Sequence, residues 1–571
     1  MNLFKRAVNI CIFCIPCVFF ITSIVLLFVS TISYENFKNY IDAFASDGNV
    51  SFLTLDFYKT FVTKLRVLCF VSTTLGAISI VFKKHIKNKA LFFIEDFNSF
   101  FSSIFKSWKG LCEETSRSHW IALSVIISCS ILYRFYFLFE PIRCDEAFSY
   151  VHFSSKPFYV ALSNYTYPNN HLFHTFLVKI FTTLFGNAPW ILRLPVFLSG
   201  IGLVIVTYFF CRMLFNKKSG LVAAAFTGGS ALLVEYSTNA RGYCLVTFIF
   251  ITLLFVVFNL QSSYKNRIGW ILFSILASLG FYTVPTMLYG LAVVVLWLIF
   301  LIKFNKSYTI IKPFIFSIFG IFLFTSVLYL PILLTLGVDA LIWNPFVQPL
   351  SYSIFWSKLP SYLIDVFQEW NVGFPDFFIF GFLVVLVLFP FLSKNKTKLS
   401  NLLYIATPIG IGLILVVQHA LPPSRVWIFL LPLLYGFFSF VVTFFLKDQA
   451  VVFVSLIVIG ALTVSGILFR SPDYFSKKDA LVDAQDIALY LKNELKPKDR
   501  VWVESPYFEP LEYYFFIHEI PREYFFIDPA LAQKNYFINK VPKNFKEPKL
   551  AQKFEHSTLY VSPGLLQRPG L

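Results

Sequence analysis

The stretch Trp120-Ile-Ala-Leu-Ser-Val-Ile-Ile-Ser-Cys-Ser-Ile-Leu-Tyr-Arg-Phe-Tyr-Phe-Leu-Phe139, followed at once by Glu140-Pro-Ile-Arg-Cys-Asp145-Glu146-Ala-Phe-Ser-Tyr150, decides the reading of the chain. Its first part is a run of about 20 mostly apolar residues, the length an α-helix needs to cross the hydrocarbon of a bilayer. Its second part sets two neighbouring carboxylates, Asp145 and Glu146, where that helix re-enters water. Charge so close to hydrocarbon is costly, and adjacent acids there point to use in function. The ordinary alternative is a pair of wet loop acids, and the pair alone does not decide.

Outward from this stretch the pattern repeats. The chain is 57% hydrophobic and 14% charged, with a mean hydropathy of +0.70; soluble domains carry about 25% charged residues. Phe alone contributes 73 residues, which suits lipid-facing helices. Apolar runs place about 13 membrane helices, near 7–30, 65–82, 120–139, 191–214, 219–235, 243–260, 269–284, 287–302, 312–334, 376–393, 401–418, 425–446 and 450–469. The first follows Lys5-Arg6 and shows no small-residue cleavage site, so a retained anchor is expected rather than a signal peptide. There is no internal repeat and no low-complexity linker.

The net charge of +17 does not form a nucleic-acid stripe. From Arg470 onward 15 basic residues face 14 acidic ones. The excess lies in short loops between spans, where it sets topology. With the N-terminus inside, the loop 83–118 (Lys83, Lys84, Lys87, Lys89, Lys106, Lys109), Lys217-Lys218, Lys265–Arg267, Lys303–Lys306 and Lys394–Lys398 all fall on the cytoplasmic side. The opposite side receives the loop 140–190, the short turn around 235–242, the loop 335–375, the junction 418–425 and the C-terminal tail. Within 140–190, His171–Phe185 is apolar but too short to span, and reads as a helix lying at the outer interface.

The expected organisation is an all-α polytopic membrane domain carrying a small C-terminal extracytoplasmic α/β domain. Residues 1–118 form an N-terminal pair of spans with a basic cytoplasmic loop, 119–470 the membrane catalytic domain, and 471–571 the soluble module. In the tail, Ala484, Ile487, Ala488 and Leu491 have helical spacing, Val501-Trp502-Val503 reads as a strand, and Pro510–Phe516 as a second helix.

Three further clusters share the outer side with the acids. Tyr167-Pro-Asn169-Asn170-His171, with His174 one turn on, offers groups that bind a sugar or cap an interfacial helix. The two histidines and two acids can be drawn as a divalent-metal site, but no HExxH-type pattern is present and metal is not favoured. The nine cysteines make no metal framework; Cys11, Cys14 and Cys17 read as small apolar side chains on a helix face. Glu235-Tyr236-Ser-Thr-Asn-Ala-Arg241-Gly-Tyr243 is more polar than a plain turn requires. Arg241 there, and Arg425 after Gln418-His419-Ala-Leu-Pro-Pro-Ser, either snorkel to water or hold a phosphate at headgroup level.

Asp-Glu in the first outer loop, Asn-Asn-His-Leu-Phe-His, then Leu192-Arg193-Leu194-Pro195 and Tyr236-Ser-Thr-Asn-Ala-Arg241-Gly-Tyr243 resemble the GT-C superfamily of membrane glycosyltransferases. Protein O-mannosyltransferases and lipid A aminoarabinose transferases are the nearest in kind. The resemblance runs from about Trp120 to Arg470 and is strongest at 140–250; the two N-terminal spans lie outside it, and Leu172 stands where relatives often carry proline. It implies an inverting glycosyltransferase with a polyprenyl-monophosphate sugar donor, a lipid, glycan or protein hydroxyl acceptor, no nucleotide-sugar and no cofactor. It implies Asp145, aided by Glu146, as the catalytic carboxylate, with Asn170, His171, Tyr236, Arg241, Tyr243 and Arg425 around the substrates. The location implied is a multi-pass bacterial inner membrane with the site extracytoplasmic, the endoplasmic reticulum being the alternative. Competing classes are a lipid-linked-sugar transporter or flippase, whose polar groups belong near the midplane, and a polysaccharide polymerase or ligase.

Overall fold

The computed structural model describes residues 2–41, 54–262, 264–305, 308–342, 347–393, 398–469, 480–542, 545 and 548–563. The expected domain boundary at 470/471 and the basic residues Lys306, Lys394 and Lys396 lie outside the described residues.

Among the described residues nine helices are long and apolar enough to cross a membrane. Shorter apolar helices, Cys14–Val29, Arg267–Thr283 and Phe377–Leu392, coincide with further expected spans. The expected span 219–235 is built differently. It is a helix Lys217–Gly229, a break at Ser230 with ψ 118°, and a second helix Ala231–Ser237. Asn216 starts it by accepting the Ser219 N–H at 3.0 Å, an N-cap bond that relieves one orphan donor. Every residue from Ser219 to Gly229 is buried. Small residues make this possible: a Cβ on Gly220 would stand 2.8 Å from the Tyr208 carbonyl oxygen, and one on Gly229 2.7 Å from Leu462 Cβ. Backbones approach closely only where nothing projects.

The break at Ser230 has a charged partner that the apolar pattern hid. Arg134, fully buried within the Arg117–Leu138 helix, donates to the carbonyls of Gly228 at 2.9 Å and Thr227 at 3.5 Å, and to Ser130 Oγ. A helix end leaves carbonyls without partners, and a guanidinium there satisfies them and suits the negative end of the helix dipole.

Two segments expected as loops are helical. Lys83–Glu113 is one 31-residue helix. Its charges hid a continuous helix whose apolar residues give it an amphipathic character; Arg267 meets its Asp96 at 3.7 Å. The segment 335–375, expected as a loop on the outer side, contains the helix Tyr352–Trp370. The N-terminal pair, Asn2–Val29 and Leu55–Val81, is joined by Ser23 Oγ to Thr73 Oγ1 at 2.6 Å and by Ser72 Oγ donating to the Phe19 carbonyl at 2.7 Å. It reaches the rest of the chain through Lys64, which donates to the carbonyls of Leu333 and Leu334 at 3.4 and 3.5 Å.

The tail module has helices Ala484–Glu494 and Phe508–Ile517 and four strands, β1 Arg500–Trp502, β2 Asn535–Ile538, β3 Lys549–Lys553 and β4 Thr558–Ser562. The sheet order is β1-β2-β4-β3, with β1 parallel to β2 and the other pairs antiparallel. Ala484, Ile487, Ala488 and Leu491 pack with Val501, Leu511 and Phe515 as the core. Edge strand β3 keeps Lys549, Gln552 and Lys553 exposed, which discourages pairing with another chain. The module rests on the segment 140–190: Arg143 and Ala480 form a β-bridge, and the Tyr513 ring lies 5.5 Å from that of Tyr150.

Candidate active site

Asp145 and Glu146 fall in the short helix Cys144–Ser149. Neighbours on an α-helix point about 100° apart, so the two carboxylates cannot share a face. Glu146, with a side chain 1% exposed, turns inward. It accepts from Arg193 Nε at 2.8 Å and Nη2 at 2.7 Å, from the Ala240 N–H at 2.6 Å and from the Arg143 N–H at 3.1 Å. Burial alone would raise its pKa; the Arg193 guanidinium and these donors outweigh that and hold it below the ordinary value. Arg193 also donates to the carbonyls of Leu138, Glu140 and Pro141 at 2.9, 2.7 and 3.0 Å. One buried ion pair thus ties together the end of the Arg117–Leu138 helix, the acidic turn and the turn at Ala240.

Asp145 turns the other way. Its side chain is 40% exposed, and Arg241 Nη2 stands 3.8 Å from Oδ2. It lines a cavity of about 1110 Å³ that Glu146 does not reach. Arg425, Tyr243, His171 and the apolar Val284, Leu288 and Val417 share that cavity. Arg425 Nε donates to Tyr243 Oη at 3.1 Å, and its guanidinium lies 5.8 Å from the centre of that ring.

The remaining expected site residues divide between wall and frame. His171 lines the cavity and accepts the Gly242 N–H on Nδ1 at 2.8 Å, which leaves the proton of the neutral ring on Nε2. Burial first, then Arg241, push its pKa well below the ordinary histidine value. His174 is buried behind it, its pKa lowered to about 3 by burial and then Arg241. Asn170 does not line the cavity. Its amide donates to the carbonyls of Ala161 at 3.0 Å and Asn164 at 2.7 Å and accepts from Thr175 Oγ1 at 2.7 Å. The expected substrate contact is therefore a brace for the Leu172–Phe185 helix; its neighbour Asn169 is on the wall. Arg241 gives its N–H groups to Ser149 Oγ at 2.9 Å, the Asn169 carbonyl at 3.3 Å and Asn169 Oδ1 at 3.0 Å. Tyr236 is buried and donates to Glu369 at 3.4 Å, one layer behind Tyr243. No three His, Cys, Asp or Glu side chains come together as a metal site among the described residues.

Several participants were not singled out from sequence. Arg193 and Arg143, the latter paired with Glu235 at 2.9 Å, frame the acids. Tyr289, donating to Gln418 at 2.7 Å, and Tyr165 line the cavity. Arg193 was already in the Leu192–Pro195 motif, and its place near the start of an apolar span was the signal for its role, since hydrocarbon tolerates charge only with a partner.

Residues 169–330 match the family described as dolichyl-phosphate-mannose-protein mannosyltransferase. This segment holds His171, Arg193, Arg241 and Tyr243 and is shorter than the resemblance read from sequence; Asp145 and Arg425 lie outside it. No curated protein matches the chain. Among solved structures, ArnT from Cupriavidus metallidurans in the apo state superposes with a TM-score of 0.51 at 11% identity, over 78% of this chain and 98% of that one. The same protein bound to undecaprenyl phosphate gives 0.41 at 12% identity over 78% and 98%. An oligosaccharyltransferase from Archaeoglobus fulgidus tethered with an acceptor peptide gives 0.40 at 11% identity over 69% and 63%. The chain is a multi-helix membrane protein of GT-C fold, similar over its central segment to the dolichyl-phosphate-mannose-protein mannosyltransferases.

Proposed function

We propose that this chain is an inverting glycosyltransferase that moves a sugar from a polyprenyl-monophosphate donor to a hydroxyl acceptor. The reading rests on one observation: a carboxylate, an arginine and an apolar wall open into the same cavity, with Asp145 on one element and Arg425 on another. A donor with a lipid tail, a phosphate and a sugar needs those three surfaces together.

In the proposed step Asp145 takes the proton of the acceptor hydroxyl as its oxygen attacks the anomeric carbon. The bond from that carbon to the phosphate oxygen breaks, and its electron pair leaves with the polyprenyl phosphate. Arg425 meets the developing charge through its remaining N–H groups, and the Nε2–H of His171 is a neutral donor on the same wall. Glu146 keeps the Asp145 helix in place rather than acting on substrate. Arg241, expected at the phosphate, instead fixes Asn169 and stands beside Asp145. The strongly basic short segments all fall on one side of the membrane under a single topology, which supports a site on the extracytoplasmic side; the bacterial inner membrane is the location the family resemblance favours.

The test is Asp145→Asn in the purified full chain, assayed with membranes from a strain lacking the gene as acceptor source. Transfer should fall about 10²–10⁴-fold with the unfolding temperature unchanged. Turnover within a few-fold of the parent would remove Asp145 as the base.

A further inference from the structure

The cavity has one wall that the membrane helices do not supply. Ser505 and Glu509, from the C-terminal module, line it together with Asp145. Glu509 lies in the first turn of the Phe508–Ile517 helix, which packs against the helix bearing Asp145. Three contacts hold it there. Tyr513 stacks edge-on against Tyr150, its hydroxyl donates to the Asn187 carbonyl, and buried Glu512 faces His152 Nε2 at 3.4 Å. Glu509 is therefore placed by packing, not by the sweep of a free tail.

Glu509 Oε2 is shielded from solvent and has no hydrogen-bond partner among the described residues. A shielded carboxylate oxygen without a donor is unfavourable, and an N–H or O–H from a ligand completes it. The charges on the wall say which ligand. Among the described residues lining the cavity, the acids are Asp145 and Glu509, the guanidinium is Arg425, and the imidazoles are His171 and His419. If the donor phosphate takes Arg425, as proposed above, an acceptor carrying its own phosphate or carboxylate would meet Glu509, and an Asp145 faced from behind the wall by Arg241 at 3.8 Å, with no further guanidinium or ammonium group among the described lining residues.

We infer that Glu509 is an acceptor-specificity residue: it makes the acceptor side of the cavity acidic, selects a neutral or cationic polyhydroxy acceptor and rejects an anionic one. The inference rests on the donor phosphate lying at Arg425.

Binding measures it without turnover. The full chain in a non-glycosidic detergent, with undecaprenyl phosphate in excess, is titrated with hexyl glucoside, an amino-substituted hexyl glucoside and a phosphorylated hexyl glucoside. The phosphorylated probe should bind at least about tenfold more weakly than the neutral one, as expected for a like charge at close range. Glu509→Gln should bring the two within about threefold and Glu509→Lys should reverse the order, while Glu509→Asp keeps the parent's preference. Unfolding temperatures and undecaprenyl-phosphate binding check that each variant is folded. Equal binding of neutral and phosphorylated probes by the parent, or a gap that survives Glu509→Gln, overturns the inference. A gap that closes in Glu509→Gln while Asp145→Asn still transfers sugar supports the acidic wall and removes only the base.

Discussion

On one side of the Cys144–Ser149 helix, Glu146 is 1% exposed and receives N–H groups from Arg193, Ala240 and Arg143; on the other, Asp145 is 40% exposed and meets one guanidinium at 3.8 Å. Two acids adjacent in sequence thus occupy opposite regimes. The inner one has its oxygens filled by donors, which makes it a good clamp and a poor base. The other faces the cavity with its side chain 40% exposed, as the proposed base requires. The proposed base would need a fixed footing near hydrocarbon, and the neighbouring Glu146 is clamped in a way that supplies one.

The largest effect that separates the two sides is on stability. Arg193→Ala leaves Glu146 buried without its partner, and breaking one half of a buried ion pair costs about 3–5 kcal/mol. The unfolding temperature of the purified chain should drop sharply, whereas Asp145→Asn should leave it in place. An Arg193→Ala chain as stable as the parent would erase the distinction between clamp and base.

Next comes the cavity side alone. Arg425→Ala removes a charged hydrogen-bonding group worth about 1.5–3 kcal/mol to an anion. The kcat/KM for the lipid-linked donor should fall by about 10–150-fold with the acceptor KM held within about twofold. A loss shared equally between donor and acceptor would return Arg425 to snorkelling.

The smallest effect is a pH dependence of the frame. His171 and His174 have folded-state values below the ordinary 6.5, so the unfolded chain binds protons that the folded chain does not. Their contribution is present above that value and declines as pH falls through it toward the folded value, about 3 for His174, by up to about 1.4 kcal/mol per pH unit for each ring. Glu146 is depressed too, from a lower ordinary value, so its contribution persists until pH falls below 4.5. Unfolding temperatures taken from about pH 8 to about pH 5 should decline, and His174→Gln should flatten the slope. A flat parent profile over that range would contradict the burial of these rings.

The amino-acid order determined the membrane helices, because hydrocarbon demands long apolar runs whatever surrounds them. It also determined the Leu172–Phe185 helix and the helix–strand–helix start of the tail, where periodicity is local. Asp145, His171, Tyr243 and Arg425 were legible as residues of one outer face, and the cavity brings those four together. What only the tertiary structure decided is which polar groups open to that cavity and which brace it. The helical turn separates Asp145 from Glu146, and Asn170 spends its amide on its own loop. The Lys83–Glu113 helix was masked by its charges, and Arg134 by the apolar run around it. Glu509 joins the site across more than 350 residues of chain, because burial of Tyr513 against Tyr150 docks the tail there. Local spacing carries no record of such a contact; it arises when distant apolar faces are buried together.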